Sequence, residues 1–112
     1  MISVQKEEIH DSIVVHIHGR VDAHSSKNLA ETLESINGDF PNHHVIINFK
    51  NVEYISSSGL GLIVSLKRNV EKRGKKMKLV SINTAVKKVF KVLGMEKAFE
   101  TYSSVNKALD SI

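Results

Sequence analysis

The chain has 112 residues, enough for one domain, and its 41% hydrophobic and 25% charged content is the balance of a soluble globular protein. It has no cysteine, which excludes a disulfide framework and a zinc-thiolate site and agrees with a reducing cytoplasm. Net charge is a mild +4, no apolar run approaches the roughly 20 residues of a membrane-spanning helix, and Met1-Ile2-Ser3-Val4 lacks a signal-peptide start, so a cytoplasmic protein without membrane contact is expected.

In chain order, a weak alternation over Ile2 to Glu7 predicts a first strand, and Ile9-His10-Asp11-Ser12 a turn. Ile13, Val15 and Ile17 alternate with Val14, His16 and His18, the period of a second strand with one face buried, closed by Gly19-Arg20-Val21-Asp22. The two form an opening hairpin. From Ser25 or Ser26 the apolar spacing becomes helical through Leu29, Leu33 and Ile36, with Asn37-Gly38 as the stop. Val45-Ile46-Ile47-Asn48-Phe49 is a continuous apolar run, as expected of a central strand covered on both faces. A second helix begins within Ser56-Ser57-Ser58-Gly59 and carries Leu60, Ile63, Leu66 and Val70 to about Arg73-Gly74. Met77 to Ile82 is a further strand, and Asn83 or Thr84 caps a third helix that stops at Gly94. Ala98 to Thr101 is expected as a short edge strand, followed by a last helix capped by Ser103 or Ser104 with Val105, Ala108 and Leu109 inward.

Strands alternating with helices after a hairpin imply an α/β fold: one domain over residues 1–112, a mixed sheet of four to five strands and about four helices. Ligand sites in such sheets favour loops beyond the carboxyl ends of parallel strands. Those loops are Asp22 to Ser26, Ser56 to Gly59 and Asn83-Thr84, expected on one edge.

On spacing alone the serine turn is either a plain helix cap or a place where N–H groups and the helix dipole favour an anion or a phosphorylated side chain. Gly59 and Gly61 are read as room for close backbone approach. Leu60-Gly61-Leu62 replaces the glycine-lysine-serine/threonine signature of a nucleotide hydrolase, and Ile55 stands where a nucleophile elbow needs glycine, so no enzyme and no cofactor are expected. His16 and His18 share a strand face and His43-His44 lie nearby, but without further ligands at suitable spacing they predict no metal site. Lys67, Arg68, Lys72, Arg73, Lys75, Lys76 and Lys78 crowd one stretch; without interleaved aromatics it reads as a solvated face, not a nucleic-acid site.

Gly19-Arg20-Val21-Asp22-Ala23-His24, then Val52 to Gly61, then Ala85 to Met95 resemble, in order and spacing, segments of the STAS domain, which bacterial anti-sigma factor antagonists share with the tails of sulfate transporters. The resemblance covers nearly the whole chain and favours the stand-alone antagonist. It implies that Ser57 is phosphorylated by a partner that is both anti-sigma factor and serine kinase, and that a serine phosphatase of the PP2C type reverses this. It further implies a partner-binding face of Asp22, His24, Ser25, Ser56, Ser58, Gly59 and Leu60 with Gly94 and Met95, on a protein that is monomeric when free. The unmodified antagonist would hold the anti-sigma factor and free the sigma factor. Ser56 departs from the family's usual aspartate; it serves equally as a cap but removes a carboxylate beside the acceptor, so weaker phosphorylation is expected. The alternative reading is a scaffold or sensor that binds a nucleotide or other anion at the helix start without phospho-control.

Overall fold

Ile13, Val15 and Ile17 are each at most 1% exposed, and the rest of the sheet is assembled around that buried row. The computed structural model describes residues 2–112 in the order β1 (Ile2–Ile9), β2 (Ser12–Val21), α1 (Ser26–Asp39), β3 (His44–Ile55), α2 (Ser57–Lys72), β4 (Met77–Val80), α3 (Thr84–Val92), β5 (Glu100–Tyr102) and α4 (Val105–Asp110). The strands lie side by side as β1-β2-β3-β4-β5, with β1 antiparallel to β2 and every other neighbouring pair parallel. The expected mixed sheet, central β3 and opening hairpin are all present.

β3 is covered on both faces because its residues alternate between two cores. Val45, Ile47 and Phe49 pack under α1, α2 and α3, and Phe90 meets Phe49 edge-to-face with ring centroids 6.2 Å apart. Ile46 faces the other way, against Val14, Val80 and Ala108 of α4. With only six residues, α4 covers part of that second face and leaves His16, His18 and Asn48 half-exposed.

Five boundaries differ from the sequence expectation. The hairpin turn is only His10-Asp11, because His10 adopts φ +53° and lets Ile9 pair with Ser12. α1 continues past Asn37-Gly38 because Arg73 reaches back to it, donating to the Phe40 carbonyl at 3.0 Å and to Asn37 Oδ1 at 3.2 Å. β3 extends beyond Phe49 to Ile55, since it carries one extra residue between Asn48 and Asn51 and another between Val52 and Tyr54, and so stays paired with β2 up to Val21 and Ile55. β4 ends at Val80, where Ser81 turns to φ +59°, and β5 pairs one step later than expected, with Val80 opposite Tyr102.

Candidate functional site

β2, β3 and β4 run parallel, so the loops after Val21, Ile55 and Val80 emerge at one edge of the sheet, as expected from the order of elements. Backbone and side-chain hydrogen bonds tie them together. Ser56 N–H donates to the Val21 carbonyl at 2.7 Å, joining the second loop to the first. Asn83 Nδ2 donates to the Val52 carbonyl at 2.8 Å while its Oδ1 caps α3 by accepting from Val86 N–H at 2.9 Å, joining the third loop to β3.

The Asp22 loop is held by reciprocal bonds. Asp22 Oδ1 accepts from Ser25 N–H at 3.0 Å, and Ser25 Oγ accepts from Asp22 N–H at 3.0 Å while donating to the Arg20 carbonyl at 2.7 Å. The Ser25 backbone N–H, helped by its hydroxyl and by the His24 N–H, holds the Asp22 carboxyl below its ordinary range. Ser25 is buried at 3% exposure, so it shapes this loop from within; His24 is exposed and Asp22 half-buried at its rim.

In the serine turn Ser56 is the N-cap of α2: its backbone is extended and its Oγ accepts from Gly59 N–H at 3.1 Å. The same Oγ lies 3.0 Å from Ser58 Oγ. Ser57, the first helical residue, is exposed, and its hydroxyl has no hydrogen-bond partner among the described residues. The Ser57 and Ser58 N–H groups have no acceptor within the helix, and the first turn contains no acidic residue, so the positive end of the dipole is left uncompensated. This end of α2 is therefore favourable to added negative charge.

The two glycines divide in a way that spacing did not reveal. A Cβ on Gly59 would stand 2.6 Å from Val21 Cγ1 and 3.0 Å from Ile55 Cγ1, so the close approach here is between α2 and its own sheet. Gly61 has open space within 4 Å. Leu60 is 1% exposed and anchors the helix start, leaving Ser57 and Ser58 as the outward residues of the turn. Gly94 adopts φ +69° as the C-terminal stop of α3, and Met95 N–H donates to the Phe90 carbonyl at 2.8 Å. Nine helical residues, about 14 Å of axis, separate that end from Asn83, so Gly94 and Met95 are not brought into the loop cluster.

Sequence reading missed Arg20 and Tyr54. Paired across β2 and β3 one step before the first two loops, they stack with the guanidinium carbon 4.7 Å from the ring centroid, and Tyr54 is 37% exposed. Their pairing depends on the two extra residues of β3, which no local pattern announces. The histidines pair separately: His16 with Glu7 and Asn48, His43 with Glu8, and His44 with the Lys76 N–H. Among the described residues no three His, Asp or Glu side chains are grouped to hold a metal, and no helix is long and apolar enough to cross a membrane.

Fold and loop cluster together define a small α/β domain that displays serines at a capped helix start. The family model of the STAS domain matches residues 3–108, and the chain belongs to that family. It is 22% identical over 111 residues to the anti-sigma F factor antagonist of Paenibacillus polymyxa, covering 99% of this chain and 95% of that relative. Among solved structures, an anti-sigma factor antagonist from Mycobacterium paratuberculosis superposes with a TM-score of 0.88 at 21% identity, over 100% of this chain and 94% of the other. SpoIIAA, an anti-sigma factor antagonist, is similar in an unphosphorylated and in a phosphorylated form. The unphosphorylated form has a TM-score of 0.81 at 22% identity, covering 97% of this chain and 95% of the other. The phosphorylated Bacillus form has a TM-score of 0.73 at 21% identity, covering 97% and 98%.

Proposed function

We propose that this protein is an anti-sigma factor antagonist that works by partner switching and is controlled by phosphorylation of Ser57. In this reading the unmodified protein binds an anti-sigma factor that is also a serine kinase, and so releases a sigma factor. Phosphate transfer to Ser57 ends the binding, and a phosphatase of the PP2C type restores it. The observation that carries the proposal is the exposed, unengaged Ser57 hydroxyl on the first residue of α2, beside the Asp22 loop. Ser56 and Ser58 share a hydrogen bond, which makes Ser57 the freest of the three hydroxyls.

The electrostatics fit a switch that changes the surface and spares the fold. A phosphoserine adds about −1.5 to −2 charges. At a helix start such charge is stabilising by roughly 0.3–1 kcal/mol. Against a partner surface matched to a neutral hydroxyl, the same charge is repelled or desolvated at a cost of several kcal/mol. Ser57→Asp should therefore leave thermal stability near that of the parent while weakening binding to the purified anti-sigma factor by about 100-fold, the equivalent of about 2.7 kcal/mol. Ser57→Ala should bind like the parent and resist phosphorylation. Equal affinity of the parent and both variants would remove Ser57 from the switch.

A further inference from the structure

Arg20 and Tyr54 stand at the serine-turn end of the sheet, on its barer side. Val21, Val52 and Ile55 belong to the core under the longer helices, so these two side chains project from the opposite face, the one α4 packs against. α4 reaches Val14, Ile46 and Val80. β4 ends at Val80, opposite Asn48, while β2 and β3 run on together to Val21 and Ile55. The ends of these two strands are left open on this face, and Arg20 and Tyr54 are both exposed there.

Two features set the pair apart from ordinary surface side chains. Stacking, with the guanidinium carbon 4.7 Å from the ring centre, restrains a long side chain that would otherwise rotate freely and so fixes the plane of its fork. Yet the charge of that fork is unmatched. Arg20 has no ion pair among the described residues, and the adjacent carboxylate, Asp22, is turned onto the Ser25 N–H. The pair is also tied to both loops of the proposed switch. The Arg20 carbonyl accepts from Ser25 Oγ at 2.7 Å, and Val21, the next residue, accepts from the Ser56 N–H at 2.7 Å. A partner seated on the Asp22 loop and Ser57 would meet Arg20 and Tyr54 at the border of its contact.

We propose, resting on the reading of the chain as an anti-sigma factor antagonist, that Arg20 and Tyr54 are a second anchor for the same partner and select one that presents a carboxylate beside the serine turn. Tyrosine and arginine are the side chains that most often carry interface energy, and a guanidinium already held in its plane loses less freedom on taking a carboxylate through two parallel hydrogen bonds. Asp22 and Glu53 flank the pair in the chain, which disfavours a polyanion and suits a single carboxylate. A partner with a basic group at that point would be rejected, so the pair governs which protein binds while Ser57 governs when. The test measures affinity for the purified anti-sigma factor with Arg20→Gln, Arg20→Glu and Ser57→Asp side by side. Both Arg20 variants should keep the parent's melting temperature, since the side chain is exposed. Arg20→Gln should lose about tenfold in affinity and Arg20→Glu about 100-fold. Raising salt from about 50 to about 200 mM should weaken the parent more than Arg20→Gln, because the charge pair is screened only where it exists. Parent-like affinity of Arg20→Glu beside weakened Ser57→Asp would overturn the anchor and leave the switch standing. Parent-like affinity of Ser57→Asp beside weakened Arg20 variants would overturn the switch and leave the anchor standing.

Discussion

At the carboxyl edge of the parallel strands, three loops are locked by short hydrogen bonds, mostly from backbone N–H groups to neighbouring oxygens. At the amino edge of β4, charged side chains pair with one another, Lys67 with Glu71 along α2 and Lys78 with Glu100 on the α4 side of the sheet. The first arrangement fixes the position of a neutral hydroxyl to which charge can be added. The second holds charge that is already paired. One small sheet thus displays an open hydroxyl at one end and paired charge at the other.

The comparison can be broken most forcefully at Gly59. Because its missing Cβ is replaced in space by Val21 and Ile55, Gly59→Ala must push α2 off the sheet and should cost about 1–3 kcal/mol in denaturant unfolding. Two residues on, Gly61→Ala meets open space in an exposed helical position and should stabilise by about 0.5–1 kcal/mol. If both substitutions shift the unfolding midpoint in the same direction, the close packing assigned to Gly59 is wrong.

A smaller effect sharpens the other edge. His44 Nδ1 accepts from the Lys76 N–H at 3.0 Å, which requires the neutral ring, and burial followed by the charge of Lys75 lowers its affinity for a proton. The unfolded chain binds that proton more readily. The contribution of His44 to stability is therefore complete above about pH 6.5, the unfolded value, and is lost as pH falls from there through the lower folded value. Melting temperatures between pH 7.5 and 5 should decline less steeply for His44→Asn, whose side-chain oxygen can still accept the bond. An unchanged slope would show that His44 does not carry this dependence.

How much of each edge was legible in the sequence follows from how it is built. Ser56, Asn83 and the Asp22-Ser25 pair act on backbone groups two or three residues away, so capping rules and turn chemistry locate them, and the order of strands brings their loops together. The stacking of Arg20 on Tyr54 and the reach of Arg73 to Asn37 depend on topology and strand irregularity. No local period encodes them. The same limit explains Gly94 and Met95, which a motif joins to the switch and a helix of nine residues carries away from it.

Ser57 is the centre of the account, and one measurement addresses it directly: the intact mass of the protein after incubation with its cognate kinase and Mg-ATP, with the modified residue mapped by fragmentation. A single phosphate on Ser57 and none on Ser57→Ala are expected, with Ser56→Asp modified at least as fast as the parent. A phosphate on Ser58, or none on a protein that binds the kinase, would contradict it.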